Sequence, residues 1–204
     1  ITKPVPTITV FDNKMVDGNN DPEKMLAKAR VCADGRPQHM KQGEHYDAIY
    51  AATPDQDSIF LFNALVIHLK LHRMAFDVGN AYGWAEQKRK IALRYPRGLE
   101  QFNAEGEELF MVLLKNTYGK PDGANLWYKE RDGFWLTEFN SEESRPGWSC
   151  RQLVMEQTLF EFKWSRYIGD ELVDDVTYLL AWSDDCDMAS TSKEMMEIIK
   201  TACD

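Results

Sequence analysis

Apolar residues between Ser58 and His72 fall at Ile59, Phe62, Leu65, Val66 and Leu69, mostly three to four positions apart, the spacing of a helix with one apolar stripe. Asp57 or Ser58 is placed to cap its first turn. The next segment, Met74-Ala-Phe-Asp-Val78, is short and apolar with one carboxylate inside it, a strand pattern whose acid needs a partner. Ile91 to Tyr95, Leu109 to Leu114, Leu159 to Lys163 and Val176 to Trp182 are further strand patterns, rich in apolar, β-branched or aromatic residues and bounded by turn formers. The last two are joined by the polar stretch Ser165 to Asp175, which reads as a hairpin connection. Thr191 with Glu194, ahead of Met195, Ile198, Ile199 and Ala202, reads as a capping box opening a closing helix. Near the N-terminus, 17–20 is the turn signal Asp-Gly-Asn-Asn, and Pro22 to Arg30 is either a short helix or an extended basic segment. Gly35, Pro37 and Gly43 mark loop.

Strands and helices without regular βαβα alternation predict an α+β fold, an antiparallel sheet covered by helices on one side. The 204 residues suit one domain or two small lobes, and 44% hydrophobic content argues against disorder. The longest apolar stretch, Ile59 to Leu71, is broken by Asn63, His68 and Lys70, short of the roughly 20 apolar residues a membrane span requires. No membrane partner is expected. No secretory signal is visible, and a start at Ile1 suggests a segment of a longer polypeptide. Cys32, Cys150, Cys186 and Cys203 show neither zinc nor disulfide spacing, which predicts a reduced, intracellular protein.

The formal charge of −9 is unevenly spread: residues 1 to 100 carry 14 basic against 12 acidic side chains, and 101 to 204 carry 10 against 21. A polymer-wide basic field is missing, so any nucleic-acid contact must be local. The acidic half suits cations. Asp77 sits within its strand pattern, and Asp184-Asp185 directly follows Val176 to Ser183. Unpaired, such acids cost several kcal/mol to desolvate, and grouped carboxylates favour a divalent cation such as Mg²⁺. Two ions about 3.5 to 4 Å apart support phosphoryl transfer. The alternative left open by spacing alone is that Asp184-Asp185 fills a tight hairpin turn and Asp77 caps an element. His68 and His72 stand four apart but lack a third ligand, which favours packing or surface roles over zinc. The six tryptophans could stack bases, but core aromatics are the more frequent explanation, and no role is assigned to them.

The order Phe-Asp77-Val-Gly-Asn-Ala-Tyr82, then Ala-Trp-Ser-Asp184-Asp185 about a hundred residues later, resembles reverse transcriptase motifs A and C. Further landmarks are Lys28-Ala-Arg30-Val, Arg94-Tyr-Pro-Arg-Gly98, Leu114-Lys-Asn-Thr-Tyr-Gly119, Trp127-Tyr-Lys-Glu and Leu159-Phe160. Together they are most similar to the reverse transcriptase of copia-type retrotransposons, over roughly residues 20 to 190. That resemblance implies a right-hand polymerase with fingers at 1–73 and 99–121, palm at 74–98 and 122–204, and a thumb largely absent. It implies RNA-directed DNA synthesis on an RNA or DNA template with primer, from dNTP, in the cytoplasm within a retroelement particle or in the nucleus. Other parts of a polyprotein would be partners.

Carried over residue by residue, Asp77, Asp184 and Asp185 would be catalytic and hold two Mg²⁺ ions, Mn²⁺ being the substitute, with the backbone carbonyl of Val78 as a further ligand. Lys28 and Arg30 match the Lys-x-Arg that neutralises the triphosphate, and Tyr82 matches an aromatic gate against the 2′-hydroxyl; a core tyrosine is the alternative there. The chain also departs from the family. Asp122 stands at a usual Gln and Asn125 at a usual Arg within Tyr118-Gly-Lys-Pro-Asp-Gly-Ala-Asn-Leu-Trp127. Trp182-Ser183 precedes the aspartates in place of Tyr and an apolar residue, and Glu156 lies near a usual Asp-Pro. These departures support the alternative of an inactive, repurposed fold serving as a binding or scaffold subunit.

Overall fold

Strand pairing is antiparallel in all three sheets of the computed structural model, which describes residues 3–15 and 25–203. The chain divides into two units, residues 1–50 with 82–126 and residues 51–81 with 127–204. The segments expected from the sequence break elsewhere, at 73/74, 98/99 and 121/122. Residues 51–73 go with the larger sheet because their helix packs on it, and 82–98 go with the first unit because Ala92–Arg94 pairs there.

In the first unit, β1 (Thr7–Met15) pairs with β2 (Met25–Ala33), from Thr7 opposite Ala33 to Met15 opposite Met25. Of the two readings of Pro22 to Arg30, the described part is therefore extended; Pro22 itself and the 17–20 turn lie outside the described residues. A second ladder joins β4 (Ala92–Arg94) to β5 (Phe110–Val112), a shorter strand than Leu109 to Leu114 suggested. Val5, Ala33, Met40, Ile91 and Leu93 form the core of this unit. The end of β2 is fixed to a distant loop by the Ala33 N–H, which donates to the Tyr118 carbonyl at 2.9 Å. Gly119 has φ +86°, and a Cβ there would meet the Ala33 carbonyl oxygen at 2.1 Å. Only glycine tolerates both that conformation and that approach.

The second unit is built on a five-stranded sheet. Its members are β3 (His72–Asp77), β6 (Trp148–Leu153), β7 (Glu156–Ile168), β8 (Glu171–Trp182) and β9 (Asp185–Ser190), ordered β3-β9-β8-β7-β6. The period of two sets Phe160, Phe162, Leu179 and Met188 on one face and Leu159, Leu180 and Ala189 on the other. Helix α3 (Gly123–Glu138) covers the first face, where the Trp135 ring lies 4.9 Å from Phe160 and Phe139 lies 5.0 Å from Phe162. Helix α4 (Lys193–Ala202) buries Met195, Met196 and Ile199, and Cys203 at its C-cap accepts from Trp135 Nε1 at 3.3 Å. Helix α1 (Gln56–His68) covers the second face through Phe62, against Leu159, Leu180 and Ala189. Burying that one ring is worth roughly 1.5–3 kcal/mol. Helices thus lie on both faces rather than one, because β7 and β8 are apolar on both sides.

Local details also differ from the sequence reading. Asp55 caps α1, its carboxylate accepting from the Ser58 N–H at 2.7 Å. His68 ends α1 while His72 opens β3, so the two histidines share no helical face. Ser192 caps α4, while Thr191 donates its hydroxyl to Asp175. Among the described residues no helix is long and apolar enough to cross a membrane.

The close approach at Gly119 sets a test against Gly98, which has φ +87° but open space around its Cβ position. Gly98→Ala is expected to cost about 1 kcal/mol from backbone strain alone. Gly119→Ala adds a clash with main chain and is expected to cost at least twice as much, about 2 kcal/mol or more, by urea denaturation.

Candidate active site

The acids singled out in the sequence meet at one end of the second unit's sheet. Strands β3 and β9 pair so that Asp77 lies directly opposite Asp185, and β8 pairs with β9 so that Trp182 lies opposite Asp185. Facing partners point to the same side of a sheet, their Cα atoms about 4.5–5.5 Å apart. Ser183 and Asp184 make the two-residue turn between β8 and β9. The Val78 N–H donates to the Asp184 carbonyl at 2.9 Å, which fastens the end of β3 to that turn. Asp77 and Asp185 are exposed and Asp184 is half-buried.

Helix α3 holds the turn from behind. Trp127 Nε1 and Arg131 Nη1 both donate to the Ser183 carbonyl, at 2.8 and 3.0 Å. Arg131 is buried, and its Nε and Nη2 donate to Asp132 Oδ1 at 2.9 and 2.7 Å. Gln152 Nε2 completes the chain by donating to Asp132 Oδ2 at 3.0 Å. Burial pushes the Asp132 carboxyl above its ordinary range, against the pull of Arg131. Cys186, next to Asp185, is fully enclosed, and burial pushes its thiol up, with the Arg131 charge opposing. Sequence reasoning passed over Arg131 and Asp132. The usable signal was Trp127, Arg131 and Trp135 at i, i+4 and i+8, one helical face with a cation between two large aromatics.

Next to the acids a cleft of about 480 Å³ is lined by Ile59, Ala75, Phe76, Leu180, Trp182, Asp185, Cys186 and Asp187. Arg73 neutralises Asp187 in an ion pair across β3 and β9. No ion pair among the described residues involves Asp184 or Asp185. The donor chemistry fits Mg²⁺, which takes hard oxygen ligands and needs only one or two carboxylates because it keeps waters and substrate oxygens. It does not resemble a closed protein cage: among the described residues no group of three or more His, Cys, Asp or Glu side chains converges on a metal position.

The remaining candidates lie in the first unit. Lys28 is half-buried and Arg30 exposed, both on β2, with Arg30 opposite Val10. The Arg30 guanidinium lies 5.8 Å from the Tyr118 ring centre, and Tyr82 meets the same ring edge-on at 4.8 Å. Arg30, Tyr118 and Tyr82 thus form one stack. Tyr82 lies in the short helix α2 (Ala81–Trp84) and is half-buried. Elsewhere in this unit Arg89 donates to the Gly43 carbonyl and pairs with Asp47, and Arg94 lies 3.6 Å from Glu108. Trp127, Trp135 and Trp148 are core residues, whereas Trp84 and Trp182 are exposed.

Two of the residues that depart from the expected pattern, Asp122 and Asn125, are both buried. Lys120 Nζ lies 3.1 Å from Asp122 Oδ1 and also donates to Gln87, while Asn125 donates to the Tyr50 carbonyl. Burial pushes the Lys120 ammonium below its ordinary value and Asp122 pulls it back. The Asp122 carboxylate is therefore answered by Lys120.

No protein-family model matches the chain. No curated protein and no solved structure matches it either.

Lys120→Met alone strands a buried carboxylate and is expected to destabilise the fold by roughly 3–5 kcal/mol, while Lys120→Met combined with Asp122→Leu recovers most of that loss. Chemical denaturation of the two variants checks it; equal losses in both would contradict the pairing.

Proposed function

We propose that the chain is the fingers-and-palm core of a copia-like reverse transcriptase, adding nucleotides from dNTP to a primer 3′-hydroxyl on an RNA or DNA template. The observation that carries this reading is the register of β3 on β9, which sets Asp77 against Asp185 with Asp184 in the adjoining turn. The motif order in the sequence, Asp77 followed about a hundred residues later by Asp184-Asp185, supports the same reading.

Asp77, Asp184 and Asp185, with the carbonyl of Val78, would hold Mg²⁺. A bound divalent cation supplies charge neutralisation at the phosphate and a more acidic hydroxyl nucleophile. The balance of the reaction is simple. The primer oxygen bonds to the α-phosphorus, its proton is lost, and the bond to pyrophosphate breaks. The three acids concentrate negative charge where cation and phosphate must meet. In the first unit, taken by itself, Lys28 and Arg30 are cations of the kind that neutralises a triphosphate, with the Arg30 guanidinium 5.8 Å from the Tyr118 ring centre. Tyr82, propped edge-on by the same ring, would sit against the sugar.

One observation favours the second reading, an inactive scaffold. Lys120 is enclosed and committed to Asp122 and Gln87, so the region that departs most from the family pattern is built for packing rather than for phosphate.

Primer extension on an RNA template in Mg²⁺ separates the two. The wild type is expected to extend the primer and Asp184→Asn to lose roughly a hundredfold or more. A folded wild type that never extends the primer supports the scaffold. In the active enzyme Tyr82→Ala is expected to incorporate ribonucleotides more readily; unchanged discrimination removes the gate from Tyr82.

A further inference from the structure

The turn that bears the acids takes a shape that its first residue does not favour. Two-residue hairpin turns with a positive φ at the first position favour glycine there, yet the residue is Ser183 at φ +57°. A side chain in that region is disfavoured, so contacts from outside the turn bear on its shape. Those contacts are unequal around the turn. The carbonyl of Ser183 receives two donors, from Trp127 and Arg131, and the carbonyl of Asp184 receives one, from Val78. The peptide plane before Asp184 is thereby tied to α3 and the plane after it to β3. Together they fix both backbone angles of Asp184.

We propose that Arg131, held in place by Asp132 and Gln152, is a positioning residue that acts with Trp127 through the Ser183 carbonyl to set the direction in which Asp184 and Asp185 present their carboxylates. A neutral donor would satisfy the carbonyl equally well. Arginine also brings a second set of donors, with which it pairs to Asp132 behind the turn. Its planar fork is suited to the task, because Nε and Nη2 bind Asp132 while Nη1 points on to the turn. Asp132 supplies the counter-charge that a buried guanidinium requires. The tether stands on this geometry; its catalytic weight rests on the polymerase reading.

Amide hydrogen exchange tests the tether without any activity, in two variants of the whole chain. Arg131→Met with Asp132→Asn removes both buried charges together, and Trp127→Phe removes one donor while keeping an aromatic ring. Exchange at Val78 and at 184–186 is expected to speed up about tenfold or more in the first and about fivefold in the second, with β6 and β7 unchanged. Mn²⁺ affinity of the protein alone, read by water-proton relaxation, should fall in the same order. In primer extension kcat should fall while KM for the dNTP stays within about twofold. Wild-type exchange rates at the turn in a folded variant would overturn the tether, and Trp127→Phe decides the matter should the double variant not fold. A raised KM with unchanged kcat would make Arg131 a substrate contact and overturn the positioning role. A wild type that neither binds Mn²⁺ nor extends a primer ends the polymerase reading alone, and exchange still judges the tether.

Discussion

The chemistry available to this protein depends on one ladder, the pairing of β3 with β9. Asp77 and Asp185 are more than a hundred residues apart, and only the hydrogen-bond register makes them neighbours. Side chains alternate between faces at every residue. A slip of one position would send Asp77 to the side occupied by Met188 and Cys186 while Asp185 stayed where it is. Two features oppose such a slip. The Val78 N–H closes on the Asp184 carbonyl at 2.9 Å just beyond the ladder, and Arg73 pairs with Asp187 across the same two strands. Behind them the sheet is gripped by helices on both faces, so the register is fixed by packing as well as by the backbone.

The first unit is organised around a single residue in a comparable way. Tyr118 takes a main-chain hydrogen bond from Ala33, carries the Arg30 guanidinium on its ring and receives the edge of Tyr82. The neighbouring Gly119 allows the loop to touch β2 at a distance no side chain permits. A basic strand and an aromatic helix are thus brought to one ring by a close backbone contact. Lys120, Asp122 and Asn125 then occupy the interior beside it, Lys120 in an ion pair with Asp122 and Asn125 donating to the Tyr50 carbonyl, so burial there is compensated by pairing rather than by exclusion of charge.

The sequence made the helix at Gln56–His68, the strands around Asp77 and before Asp184, and the closing helix legible, because each carries its own periodicity and bounds. It did not show α3. That helix lacks an apolar stripe: Gly123, Arg131, Asp132 and Gly133 interrupt it, and it is held together by Trp135 and Phe139 against the sheet rather than by propensity. Strand β9 was equally hidden, since Asp185-Cys-Asp-Met-Ala-Ser190 has too few β-branched residues to announce itself and depends on partners on both sides. The acids were found because their residue type is costly near apolar strands. Arg131 was missed for the opposite reason. A basic residue beside an acidic one looks like an ordinary solvated pair until the fold encloses both.

Strand β3 also borders its sheet, with pairing on one flank only within that sheet. Such a border offers a row of amides that could recruit a strand from another molecule and grow into a fibre. Here the border is six residues long and carries His72, Arg73 and Asp77 at three of its four exposed positions, Ala75 being the other. Charge at those positions discourages stacking between molecules. The carboxylate proposed to hold the cation therefore also acts as a guard against self-association, and selection on Asp77 would answer to solubility as well as to any such binding.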